Sequence, residues 1–236
     1  MRTKILYEDQ ELLVVHKPIG LATQTQKLSQ PDVVSEMKNH VASVSRNKTG
    51  EPYLGLIHRL DQPVEGILLL AKTEQAAKEL NIQLLHGKIK KSYYAVVFGQ
   101  TLQQKATLVD YLCKNGKTNT SAIVSSDSRD AKRAELHYEV LAVEGKETDI
   151  HTLVRVCLET GRHHQIRVQM AHAGLPLLGD YKYGTEDSHR ASMLHGIQDV
   201  ALCAYAITLQ HPITHCTMSY QIEPSAPVFS DFIGKF

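Results

Sequence analysis

Residues 58–66 read HRLDQPVEG, immediately ahead of the apolar run ILLLA. Pro63 biases Gln62 towards an extended backbone, so Asp61 is predicted to sit in a constrained loop just before a buried strand. A carboxylate restrained in this way can act as a nucleophile or a base. It can equally serve as a turn residue that caps backbone amides. Arg59 stands two residues before it and supplies a cation able to engage phosphate. A second basic cluster, TGRHHQIRVQ at 160–169, carries Arg162, His164, Gln165 and Arg167. Arg162 and Arg167 are five apart, so a regular helix would not set them on one face. They could therefore serve different partners, one a carboxylate and the other a phosphate; the plainer alternative is two surface ion pairs worth little.

The elements that must carry these residues are legible in outline. KILYE and LLVVHK read as two short strands separated by the turn-forming DQE. Pro18 and Gly20 break the run that follows. A helix is predicted from about Pro31, with Val33, Val34, Met37, Val41 and Val44 at helical spacing, and RNKTGEPY is a polar connection. GILLLAK is a strand buried on both faces. Thr73 caps the next helix, whose inner stripe is Ala76, Ala77, Leu80, Leu84 and Leu85 and whose end is Gly87. KSYYAVVFG is strand-like. AELHYEVLAV alternates at Ala134, Leu136, Tyr138 and Val140 until the pattern lapses, and HTLVRVCLE alternates similarly. RHHQIRVQMAHAG is read as a helix closed by Gly174. ALCAYAITLQ and TMSYQIE are late strands, and PVFSDFIGKF is a terminal helix. Hairpin-like strands with inserted helices, without regular βαβα alternation, predict an α+β domain around a mixed, mainly antiparallel sheet. No linker marks a boundary, so one domain over residues 1–236 is expected.

With 236 residues and a formal net charge of +1, the molecule as a whole is no electrostatic magnet for nucleic acid. The charge is uneven, however. Between residues 88 and 133 nine Lys and Arg face only Asp110, Asp127 and Asp130, a local excess of six, which suits either a solvated face or a phosphate-binding surface. The four cysteines form no CxxC pair, and the opening MRTKILYEDQELLVV has no apolar signal core. No apolar run approaches the ~20 residues of a membrane span. A cytoplasmic protein without membrane attachment is expected. The thirteen histidines show no HExxH or Cys/His cluster, and no glycine-rich phosphate loop is present, so neither a metal nor a cofactor is expected.

HRLDQPVEGILLLAK resembles the signature of the RluA-type pseudouridine synthases, in which HRLD precedes a glycine and an aliphatic strand. The likeness runs along nearly the whole chain. ILYEDQELLVVHKPIGL resembles that family's opening strands, KSYYAVVFG its K-x-Y-x-A-x-V-x-G pattern, and AELHYEVL its central strand. LETGRHHQIRVQMAHAGLPLLGDYKYG resembles its long third motif, and CAYAITLQHPIT its closing strand. Separated blocks in the right order are more specific than any one short motif.

The resemblance implies a bisected mixed sheet with flanking helices and a central active-site cleft, and isomerisation of uridine to pseudouridine in ribosomal or transfer RNA. It implies Asp61 as nucleophile, Tyr93 against the target base, Arg167 paired with the catalytic carboxylate, and Arg59 on the displaced nucleotide. His58, Arg162, His164 and Gln165 are the further expected RNA contacts. The residue types suit these roles. A carboxylate in a desolvated cleft tends to protonate, and a guanidinium beside it opposes that. A tyrosine offers a flat apolar face with a polar tip. A stacked uridine must swing out, at a cost of roughly a few kcal/mol that phosphate contacts offset. Whether the carboxylate attacks the sugar, attacks the ring or abstracts a sugar proton stays open.

Four positions depart from the family's pattern. Val64-Glu65 replaces a common Thr-Ser, and Glu65 is expected to face outward or to pair with a lysine. Gln169 and Cys203 each stand where a histidine is common in the family. The chain begins directly on the catalytic strands, so recognition of a local stem-loop by the catalytic domain, as a monomer without an obligate protein partner, is expected. Two rivals stand beside this reading: a catalytically silent RNA-binding or ribosome-assembly protein of the same fold, and a glycoside hydrolase, which would need a paired acid.

Overall fold

Asp9 explains why the chain opens as a hairpin. Its Oδ1 accepts the backbone N–H groups of Glu11 at 2.8 Å and Leu12 at 2.7 Å. That turn joins β1 (Lys4–Glu8) to β2 (Leu12–Lys17), the two strands expected there. The computed structural model describes residues 2–26, 30–44, 50–146, 149–232 and 234, so the expected polar connection at 46–53 falls partly outside the described residues. Two compact units emerge: Met1–Lys91 with Ala204–Glu223, and Ser92–Cys203 with Pro224–Phe236.

In the first unit the strand order is β1-β2-β4-β10, with β4 at Glu65–Ala71 and β10 at Leu202–Gln210. β3 (Gly55–Leu56) lies beside β4, and β11 (Thr217–Gln221) beside β10. Flanked on both edges, β4 is buried at every position, which accounts for its unbroken aliphatic run. Leu12, Val14, Ile67, Leu69, Leu80 and Ile207 are central to the core of this unit.

Helix α1 (Val33–Val44) begins two residues later than the expected Pro31. Asp32 is the reason. Its Oδ1 accepts the Ser35 N–H at 2.7 Å and its Oδ2 that of Thr25 at 2.9 Å, so it takes the capping position. Helix α2 (Glu74–Leu85) is capped by Thr73 as expected, and Gly87 follows it at φ +65°. Its inner stripe differs at one end, where Leu85 is 83% exposed. Gln83 is buried instead, because its side-chain amide bonds both ways with the backbone of Gln210, at 3.0 and 3.1 Å.

The second unit is an antiparallel sheet in the order β5-β9-β8-β6-β7. β5 is Lys90–Phe98, β6 Lys105–Asn115, β7 Thr120–Ile123, β8 Lys132–Lys146 and β9 Asp149–Leu158. The alternation in β8 lapses after Val140 because a β-bulge between Val140 and Ala142 shifts the register against β9. The β6–β7 hairpin was not visible in the sequence, since β6 has one solvated face and little hydrophobic contrast. Helix α3 (Gln165–His172) packs on β6 and β7. Helix α4 (Glu186–Leu194), closed at its start by a Thr185–Ser188 capping box, was also not anticipated. The expected terminal helix is a short 3₁₀ turn at Pro227–Phe232 that buries Phe229 and Phe232. Every strand pair with a described register is antiparallel, and the α+β class expected from the sequence holds.

Candidate active site

Asp61 belongs to the first unit, on the loop that enters β4. The backbone on either side of it is secured. Thr23 Oγ1 donates to the Leu60 carbonyl at 2.7 Å and accepts the Leu60 N–H at 3.2 Å. The Gly20 N–H donates to the Gln62 carbonyl at 3.0 Å, and Gln62 Nε2 returns a bond to the Gly20 carbonyl at 3.1 Å. Val64 N–H closes a turn on the Asp61 carbonyl at 3.1 Å. Beneath the loop lies Lys17, fully buried, its ammonium bonded to the carbonyls of Pro18, Leu21 and Gln62. The firm hold inferred from Pro63 is thus achieved mainly by hydrogen bonds from the KPIGLAT segment. Arg59 projects to solvent with one terminal nitrogen 3.5 Å from the Gln24 carbonyl.

His58 is different. Both its ring nitrogens are buried and lack a hydrogen-bond partner among the described residues. Burial, with a smaller contribution from the nearby Lys91 ammonium, pulls its pKa down to about 3, so the ring is neutral at physiological pH. Burial also lowers the pKa of Lys91. Glu65 does not face outward as expected. It is fully buried in β4, with its carboxylate 3.6 Å from His16 Nε2. The reason is the pleat: β4 has no solvated face, so no residue on it can turn out. Gly66 follows at φ +141°, and a Cβ there would sit 2.5 Å from the Ala204 Cβ, so only glycine lets β10 approach.

The remaining residues lie in the second unit. Tyr93 is 6% exposed on β5, opposite Val156 of β9. Arg167 is buried on α3 and grips Asp180, Nε to Oδ2 at 2.7 Å and Nη2 to Oδ1 at 2.8 Å. Asp180 also accepts the N–H groups of Lys182 and Tyr183, at 3.1 and 3.3 Å. The turn delivering it needs Gly179, at φ +71°, where a Cβ would lie 1.9 Å from the Asp199 carbonyl oxygen. Arg167 Cζ stands 5.1 Å from the centre of the Tyr183 ring.

Arg162, His163 and His164 precede α3 rather than lying on it. His164 takes a left-handed φ of 54°, and this kink stacks its ring on that of His163 at 3.7 Å, where a helix would have splayed them. Arg162 is exposed, with Nε donating to the Arg133 carbonyl at 2.9 Å. Gln165 is buried and spends its amide on protein: Oε1 accepts from Thr160 Oγ1 and the Arg162 N–H, and Nε2 donates to the Glu135 carbonyl. Gln169 is buried too, bonding Asp110 at 2.8 Å and so fastening α3 to β6.

Sequence reasoning missed Lys17, Thr23, Asp180 and Tyr183. KPIG and GDYKYG were visible as turn chemistry, but nothing in their spacing named the groups they hold. Among the described residues, Asp149, His151 and His195 gather ligand-type atoms within 4.8 Å of one another. Each Asp149 oxygen already bonds one imidazole, at 3.0 and 2.8 Å, which explains the cluster without an ion.

The model of the RNA pseudouridylate synthase family matches residues 11–172. The chain belongs to that family. It is 32% identical over 98% of its length to ribosomal large subunit pseudouridine synthase D of Pseudomonas aeruginosa, covering 69% of that protein. It is likewise 32% identical to tRNA pseudouridine synthase C of Pasteurella multocida, covering 91% of this chain and 88% of that one. Among solved structures, human RNA pseudouridylate synthase domain containing 4 superposes with a TM-score of 0.76 at 20% identity over 98% of this chain and 92% of that one. The fold is therefore the pseudouridine synthase fold, and the chain is an enzyme that converts uridine in RNA to pseudouridine.

Proposed function

We propose that the chain isomerises a specific uridine in a stem-loop of ribosomal or transfer RNA, with Asp61 as the nucleophile. The observation that carries this is the fastening of Leu60 by Thr23 and of Gln62 by Lys17 and Gly20, on either side of Asp61, which restrains the loop that bears the carboxylate and lowers its ordering cost. In the reaction the bond between ring N1 and sugar C1′ breaks, a bond from ring C5 to C1′ forms, C5 loses its proton and N1 gains one. By the family's motifs Tyr93 is the residue that presents a ring to the flipped base, and Arg167, held in place by Asp180, is the family's active-site arginine. Arg59, exposed beside the loop, and Arg162 contact the displaced nucleotide and backbone phosphates. His164 contributes near the RNA, while His58 and Gln165 act by shaping the segments that bear Asp61 and Arg167.

The test is to map pseudouridine in ribosomal and transfer RNA from a strain lacking the gene, complemented with wild type or Asp61→Ala. Loss of one modified position, restored by wild type and not by the alanine variant, is expected. Restoration by Asp61→Ala would overturn the assignment and favour a non-catalytic RNA-binding role.

A further inference from the structure

Tyr183 stands where the β6–β7 hairpin meets the arginine of α3. Its hydroxyl accepts the Ser121 N–H at 2.8 Å and bonds His164 Nδ1 at 2.6 Å. One oxygen thus ties the backbone of β7 to the residue that precedes α3. The same hairpin is held at further points. Ser121 Oγ bonds His163 Nδ1 at 2.9 Å, Asn119 Oδ1 bonds His163 Nε2 at 3.1 Å, and Lys182 Nζ donates to the Asn119 carbonyl at 3.1 Å. Residues 119–121 are thus fastened to both arms of the third motif, 163–164 and 182–183.

The ring of Tyr183 meets Arg167. Asp180 fixes the guanidinium edge-on through two parallel hydrogen bonds, which set its position within its own plane. The Tyr183 ring at 5.1 Å adds the contact Asp180 cannot give, from an aromatic face. Both come from one turn, since Asp180 Oδ1 also accepts the Tyr183 N–H. The hairpin that Tyr183 ties down carries exposed Lys114 and Lys117 and belongs to the basic stretch of the chain.

We propose that Tyr183 is a positioning residue that couples the β6–β7 hairpin to Arg167, its hydroxyl setting RNA affinity through the hairpin and its ring setting the rate through the arginine. This inference rests on the pseudouridine-forming role of Arg167 proposed above. The two functions are separable by substitution. Tyr183→Phe keeps the ring and loses the bonds to Ser121 and His164, whereas Tyr183→Leu loses both.

The experiment is single-turnover pseudouridine formation, with enzyme in excess over RNA extracted from the deletion strain, and with amplitude and rate constant read separately. For Tyr183→Phe the expected result is RNA affinity weaker by about tenfold with a saturated rate constant within about twofold of wild type. For Tyr183→Leu the saturated rate constant itself is expected to fall by about 30-fold or more, the scale of a displaced catalytic group. A merely structural role would lower the amplitude and the melting temperature of both variants while leaving rate constant and affinity of the active fraction unchanged, and that result overturns the proposal. Equal loss of rate in both variants also overturns it, because hydroxyl and ring would then not act separately. Wild type that forms no pseudouridine on this RNA would instead sink the functional reading itself, and the inference with it.

Discussion

Lys17 Nζ donates to the Gln62 carbonyl at 3.0 Å, one residue past Asp61, and to the Leu21 carbonyl at 2.7 Å, from a side chain with no exposed surface. A buried ammonium is retained here because it satisfies carbonyls that strand pairing does not reach. Lys17→Met should leave the Leu21 carbonyl without its ammonium donor and the Gln62 carbonyl with only the Gly20 N–H, and lower stability by about 3 kcal/mol, read from the urea midpoint. Activity should fall beyond the loss of folded protein, because the Asp61 loop loses its anchor. An unchanged midpoint would mean the carbonyls find other partners.

The pH dependence of stability should bear the mark of His58. Its pKa in the folded chain is pulled below the ordinary 6.5 to about 3. The unfolded chain therefore takes up a proton as pH drops below 6.5, while the folded one resists until about 3. The stability contribution is complete above pH 6.5 and is lost as pH falls through that window. Between about pH 6.5 and 4.5 the loss should be on the order of 2 kcal/mol. His58→Phe should flatten the curve of urea stability against pH over that interval. An identical slope in variant and wild type would argue against the assignment.

Two glycines should tolerate no side chain. Gly66→Ala would drive a methyl group into Ala204, and Gly179→Ala would drive one into the Asp199 carbonyl, both from left-handed backbone. Each should cost roughly 3 kcal/mol or more in thermal or chemical denaturation. Gly179→Ala should in addition depress turnover in whatever protein remains folded, since it displaces Asp180. Ordinary melting behaviour in either variant would count against these close approaches.

The Arg167–Asp180 pair should behave as one unit. Asp180→Asn retains an acceptor but loses the charge and one arm of the fork, leaving a buried guanidinium half-compensated, at about 2–4 kcal/mol. Arg167→Lys cannot reproduce two parallel bonds and should be similarly costly. The double variant should cost clearly less than the sum of the single ones, as a double-mutant cycle in urea would show. Strict additivity would mean that the two side chains act independently.

Much of this protein was readable along the chain. Local chemistry fixes a turn at Asp9 and a cap at Thr73, because each depends on neighbours a few residues away, and the unbroken aliphatic run GILLLA marks a buried strand. Asp61, Tyr93 and Arg167, the residues proposed to act on the uridine, could be named from motifs whose order along the chain carries the family likeness. What the sequence could not supply was partnership at a distance. That Lys17 serves Gln62, that Arg167 answers to Asp180 across 13 residues and that Tyr183 reaches Ser121 across 62 are products of the folded path. Burial likewise came from the sheet. Glu65 is enclosed because β2 and β10 flank its strand, and the His163–His164 stack exists because one residue turns left-handed before α3 begins. Spacing governs contacts within a turn or a strand, whereas long-range hydrogen bonds and desolvation depend on which segments the core brings together.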